Sequence, residues 1–207
     1  MITESIDLKK IFEIILIFTL TVSLCCCVAT QQKKTYFVHS AGFETKGKDI
    51  RLTVLLEEHG KQKDDFFTKS FTSSSITAAA KELMTDYKDC YFATCDLYLI
   101  SIDVKQNTIS SIAKEICDSN IFPTTGNIIC TAGGDLQGIL ASLKNSDKIS
   151  QLKSNIKDSI NVVRFFAAFS SGTAVSVDAF KLEDDEATRI GKATFINSGK
   201  AVLHEDH

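Results

Sequence analysis

Residues 95–104 read CDLYLISIDV. The apolar stretch inside this run is nearly continuous, with no alternation of polar and apolar positions. It is also too short for an ordinary helix, so it predicts a central β-strand with both faces covered. A strand of that kind needs helices on either side of its sheet, and the flanking sequence supplies them. Upstream, SSSITAAAKELMTDYKD (residues 73–89) puts serine caps before an alanine-rich helix of good propensity. Downstream, NTISSIAKEICDSN (residues 107–120) places Ile109, Ile112, Ala113 and Ile116 on one helical face.

Further out, TYFVHSAGFE and KDIRLTVLLEE are β-rich runs joined by TKGKD, a glycine-containing hairpin turn, and DDFFTKSFT reads as a third strand. After Pro123, the single proline, GNIICTAG predicts another strand, leading through GGD into a short helix, LQGILASLK. From Ser146 to Phe169, Ile149, Leu152, Ile156, Ile160, Val163 and Ala167 recur at steps of three and four. This spacing predicts one long amphipathic helix with that stripe packed on the sheet. Three β-like runs close the chain: VSVDAFKLE, TRIGKATFINS and GKAVLHEDH. The fold class that follows is α+β: a mixed β-sheet with packed helices, a long amphipathic helix and C-terminal β-strands.

Composition narrows the function. The chain has 207 residues, 44% apolar and 24% charged, with a formal net charge of −3. That describes a globular protein and supplies no basic surface for nucleic acid. Arg51, Arg164 and Arg189 are the only arginines, so bidentate readout of bases or phosphates is poorly supplied, and no nucleic-acid partner is expected. Of seven cysteines, Cys90, Cys95, Cys117 and Cys130 lie in predicted strands or helices, and no C-x-x-C pair occurs. Closed zinc sites bring ligands in close pairs, which leaves buried thiols as the simpler reading. Export of the chain would also allow a Cys90–Cys95 disulfide.

The other three cysteines end a greasy N-terminal run. MITESIDLKK finishes in Lys9-Lys10, and IFEIILIFTLTVSL follows before Cys25, Cys26 and Cys27. A basic flank and about a dozen apolar residues have the layout of a secretory signal. The uninterrupted part, Ile14 to Ala29, falls short of the roughly 20 residues that span a bilayer, which makes a retained transmembrane anchor the second choice. Bacterial lipoprotein signals end in a Leu-like residue, two small residues and the cysteine that takes diacylglycerol. Cys25 follows bulky Leu24, and Cys26 has Ser23 where an aliphatic residue belongs. Cys27 has Leu24 three places back, with Cys25 and Cys26 as the small residues. Lipidation is therefore assigned to Cys27. The polar stretch ATQQKK would then hold a folded domain off the headgroups, its lysines favouring an anionic leaflet.

No catalytic constellation assembles. His39, His59, His204 and His207 stand outside any nucleophile-elbow context, and the terminal HEDH reads as a solvated tail. The AGGD run, Ala132 to Asp135, lies between a strand and a helix, but matches neither G-x-G-x-x-G nor the P-loop pattern. Asp135 is expected to cap the following helix. LEDDEATR, residues 182–189, has adjacent acids without the spacing of an EF-hand loop and reads as a solvated turn. No enzyme activity, cofactor or metal is expected.

The march from TYFVHSAGFETKGKDIRLTVLL through SSSITAAAKEL and CDLYLISID to NIICTAGGDLQGIL resembles the Ger(x)C family, the lipoprotein C subunits of bacterial spore germinant receptors. In the tail, IGKATFINSGKAVL resembles the strand hairpin that opens the family's second domain, so the likeness covers about residues 27–203. Family members are longer, with two further domains, and commonly carry a tryptophan after the lipid cysteine where this chain has Val28. The resemblance gives this organisation: a lipoprotein signal peptide over 1–26, a polar tether over 27–34, a Ger(x)C-like N-terminal domain over 35–186 and the hairpin over 187–207. It implies a non-enzymatic accessory subunit in nutrient-triggered germination, lipid-anchored through Cys27 on the extracytoplasmic face of the inner spore membrane. Its partners would be membrane lipid and multi-pass receptor subunits. The competing expectation is an envelope lipoprotein that binds a small ligand in a pocket under the sheet.

Overall fold

The computed structural model describes residues 34–59, 65–196 and 201–206. Its centre is the apolar run within CDLYLISIDV. Leu97–Ser101 (β5) is buried at every position, as a strand covered on both faces must be. On one side β5 pairs in parallel with Thr35–Lys46 (β1), and on the other with Asn127–Thr131 (β6), which pairs in parallel with Val175–Glu183 (β7). Antiparallel strands extend both margins. Asp49–His59 (β2) and Asp65–Ser73 (β3) follow β1, while Glu186–Phe195 (β8) and Val202–Glu205 (β9) follow β7. Cys90–Tyr91 (β4) pairs beside the start of β1. Among the described residues this makes a nine-stranded mixed sheet in the order β3-β2-β1-β5-β6-β7-β8-β9. One row of paired residues crosses it: Phe71, Leu52, Phe43, Ile100, Cys130, Ala179, Gly191 and Glu205.

Five helices cover the two faces of the sheet among the described residues. Ile76–Asp86 (α1), Gln106–Asp118 (α2) and Val162–Ser170 (α5) lie over the larger face, with Ile76, Leu83, Ile109, Ile116, Phe165 and Phe169 in one apolar cluster. Leu136–Ser142 (α3) and Ser146–Ser154 (α4) lie over the smaller one, with Leu136, Ile139, Leu140, Ile149 and Leu152 in a second cluster. The helix α3 comes so close to β1 that a Cβ on Gly42 would stand 2.4 Å from Leu136 Cδ2.

The helix starts follow local chemistry. Ser75 accepts from the Ala78 N–H at 3.1 Å and Asp135 from Gly138 N–H at 2.8 Å, the caps the sequence foretold. Glu115 of α2 accepts from the Thr77 N–H at 2.8 Å, satisfying a second free donor of α1.

The long helix over Ser146–Phe169 is not formed. The segment divides into α4 and α5, joined by residues 155–161. The apolar stripe itself is split between faces. Ile149, Leu152 and Ile156 pack into the smaller cluster, whereas Ile160 packs into the larger one. Beyond the break the buried residues are Val162, Phe165, Phe166 and Phe169, while Val163 and Ala167 are exposed. The interruption is held by a carboxylate distant in sequence. Asp178 Oδ2 accepts from the backbone N–H groups of Lys157 (2.7 Å) and Asp158 (2.9 Å), capturing donors that a helix would direct inward. The chain then pairs beside the start of β6, where Ile128 N–H donates to Ile160 O and Val162 N–H to Gly126 O. Asn161 caps the new helix through the Arg164 N–H at 2.8 Å.

Candidate anchor and interaction surfaces

Cys27, with its neighbours Cys25 and Cys26, lies outside the described residues, as do the signal segment and the tether up to Lys33. The description begins at Lys34, whose Nζ lies 2.9 Å from Glu58 Oε1. The strand β1 starts at the next residue, so the fold takes up the chain directly after the predicted tether. No helix among the described residues is long and apolar enough to cross a membrane.

The end of the sheet where β1 begins is rich in aromatic rings. Tyr91 is placed beside Phe37 by the β1–β4 pairing, their ring centroids 6.1 Å apart, and Phe37 meets His59 edge-on at 6.0 Å. The register of β1 shifts between Val38 and Ser40, leaving His39 as the extra residue of a bulge. Its ring bonds the Glu57 carboxylate and leans on Phe66, with centroids 5.3 Å apart. The sequence named His39 and His59 only as histidines without a nucleophile, and both are accounted for by contacts across neighbouring strands.

The four later cysteines are all free thiols, so Cys90 and Cys95 are not bridged. Cys90, Cys95 and Cys130 are buried and Cys117 is exposed. Burial pushes the Cys90 thiol up to about 11 and the Cys95 thiol up to about 12, which keeps both protonated and inert at neutral pH. Among the described residues no group of three or more His, Cys, Asp or Glu side chains could hold a metal ion. His207 of the HEDH tail lies outside them. The acids of LEDDEATR form the β7–β8 turn, where Asp184 and Asp185 both take positive φ (48° and 61°), a pairing that two-residue hairpin loops favour.

One polar cluster has no counterpart in the sequence reading. Asp178, with no exposed surface, receives Arg189 Nε at 2.7 Å in addition to its two backbone donors. Arg189 also bonds Asp206 just beyond β9, and Lys192 bonds Asp158 in the segment between α4 and α5. Burial works against the Arg189 charge, yet Asp206 and Asp178 together hold it above its ordinary value. The Arg189 hydrogen bond draws Asp206 below the usual carboxylate range, and Lys192 does the same to Asp158. Beside the cluster is a cleft of about 450 Å³ lined by Gln151, Asn155, Lys157, Thr188, Arg189 and Asp206. Its guanidinium is already neutralised from two sides, so the cluster ties β9 and the α4–α5 segment to β7 and offers no unsatisfied charge to a ligand. No spacing within the sequence could have found it, because Asp178, Arg189 and Asp206 meet only through strand register.

A shallower groove of about 260 Å³ runs between α2 and α5, lined by Ala113, Lys114, Cys117, Val163, Phe166 and Ala167. It is apolar and open, a shape for packing against a surface more than for enclosing a small molecule.

No family model matches the chain, and no curated protein matches it. Among solved structures it is similar to the crystal structure of the GerBC protein, at 13% identity and a TM-score of 0.42. That alignment covers 79% of this chain and 50% of the GerBC chain, so the present chain spans about half the length of that protein.

Proposed function

We propose that this chain is a membrane-anchored lipoprotein of the Ger(x)C kind, a non-enzymatic accessory subunit of a spore germinant receptor in nutrient-triggered germination. Lipid on Cys27 would hold it at the extracytoplasmic face of the membrane, beside multi-pass receptor subunits. The observation that carries the reading is the layout of the N-terminus: an apolar run ending in Cys25–Cys27, a short polar stretch, and a fold that takes up the chain at Lys34. Support also comes from the segments that bear the Ger(x)C resemblance, which occur in the expected order as β1, β2, α1, β5, β6 and α3.

Anchoring explains how such a subunit works without a tight interface. Two acyl chains give stable membrane attachment, and a short tether raises the effective concentration of neighbouring subunits into the millimolar range. The test is Cys27→Ala in the native host. Loss of the protein from the membrane fraction, with loss of nutrient-triggered germination in spores carrying only that variant, is the expected result. Membrane retention of the variant would favour a transmembrane anchor. Normal germination of spores lacking the protein altogether would overturn the receptor role.

A further inference from the structure

The row of paired residues through Phe43, Ala179 and Glu205 divides the sheet into two halves. Among the described residues, three of the five exposed large apolar side chains lie in or beside strands, and all three fall on the Lys34 side of that row. Tyr91, 48% exposed, is paired with Phe37, six residues before Phe43 on β1. Val202, 47% exposed, stands three residues before Glu205 on β9, which runs in the same direction as β1. Ile196, 36% exposed, follows the end of β8, which runs the opposite way and so ends on this side. The other two, Met84 and Val163, are on helices.

The opposite rim has another character. It is formed by the Gly47–Lys48 turn, the exposed Gly133–Asp135 loop and the acidic β7–β8 turn from Glu183 to Glu186. Lysine pairing does not separate the rims, since Glu183 and Glu186 of that turn meet Lys181 and Lys148 as Glu58 and Asp96 of the near rim meet Lys34 and Lys153. The rims differ in their exposed apolar side chains.

We propose that the rim carrying Tyr91, Ile196 and Val202 rests on the bilayer surface, with these side chains at the level of the headgroups. The inference builds on the lipid-anchor reading above. Eight residue steps separate Cys27 from Thr35. A chain of that length can reach at most about 28 Å. The strand β1 is 12 residues long and carries the opposite rim away by about 40 Å. A reach shorter than that span keeps the near rim close to the membrane and leaves the opposite rim on the aqueous side. A tyrosine and two aliphatic residues, exposed at the end closest to the lipid, suit an interfacial zone where amphipathic rings settle.

The chain has no tryptophan, so a single introduced indole reports alone. The test uses full-length lipidated protein in phosphatidylethanolamine–phosphatidylglycerol vesicles with brominated acyl chains. It compares Tyr91→Trp, Ile196→Trp and Val202→Trp with Lys48→Trp on the opposite rim. Flotation with the vesicles first reports the anchor. In floated protein, bromine quenching about two-fold or more stronger at the three near-rim positions than at Lys48→Trp is the expected result. Equal quenching at both rims of floated protein overturns this orientation alone. Protein that fails to float overturns the anchor reading, and this inference with it.

Discussion

The two faces of the sheet are built on different principles. The larger face, under α1, α2 and α5, is an apolar layer in which Phe165 stacks against Phe169 and meets Phe166 and Phe195 edge-on. The smaller face, under α3 and α4, also has an apolar cluster but carries the fully buried Asp178 on β7. Burial of large side chains stabilises the first face without specifying a single arrangement. On the second, one carboxylate decides where a helix ends and where the last strand docks. Most of the stability should therefore reside on the larger face, and much of the chain's local course should depend on the smaller.

The sharpest test of that contrast is a pair of truncations. Phe165→Ala removes a ring with no exposed surface and three aromatic partners, and should cost about 4 kcal/mol in urea unfolding. Leu140→Ala, equally buried on the smaller face, should cost about 3 kcal/mol or less. A reversal of that order would break the comparison.

Asp178→Ala should cost about 3 kcal/mol, because it strips Arg189 of one partner and leaves the Lys157 and Asp158 N–H groups without their acceptor. Asp206 still meets Arg189, which places the loss at the lower end for a broken buried pair. Its signature differs from that of the Phe165 variant. Amide exchange should rise first at residues 156–160 and 202–206, with the larger face still protected. Uniform loss of protection would show that Asp178 is only another core residue.

How far the sequence could foresee this follows the same division. The strand at Leu97–Ser101, the apolar stripe of α2 and the Ser75 cap were legible because each rests on neighbours within a few residues. The break between α4 and α5 was not. Ile156 and Ile160 keep helical spacing although they belong to opposite faces, and the acceptor that interrupts the helix lies about 20 residues further on. A local sign was present in Asn161, a residue that caps helices well and sits where α5 begins. The assignment of Cys27 rests on its position between an apolar run and a polar one, and the residue lies outside those described. The rim that holds Tyr91, Ile196 and Val202 required the register of six pairs of strands.

That Asn161 cap supplies a smaller test. Asn161→Ala removes the acceptor for the Arg164 N–H and should cost about 1 kcal/mol, without the rise in exchange at residues 202–206 expected for Asp178→Ala. If it also released those residues, the helix start and the ion-pair cluster would be one cooperative unit.

The mildest perturbation is acid. Asp206 and Asp158 are held below the usual carboxylate range, chiefly by their hydrogen bonds to Arg189 and Lys192. A depressed native value contributes stability that is fully present above the unfolded value, about 3.9 for aspartate, and is lost as pH falls through the native one. Protection of residues 202–206 should accordingly be flat from pH 7 to about pH 5 and decline below about pH 4. Both carboxylates are about half exposed, so the decline should be shallow, and molar salt should reproduce part of it at neutral pH. The larger face should hold its protection across that range, since its cluster is made of apolar side chains and buried thiols. A midpoint for residues 202–206 well above pH 5 would mean that these aspartates do not govern the docking of the last strand.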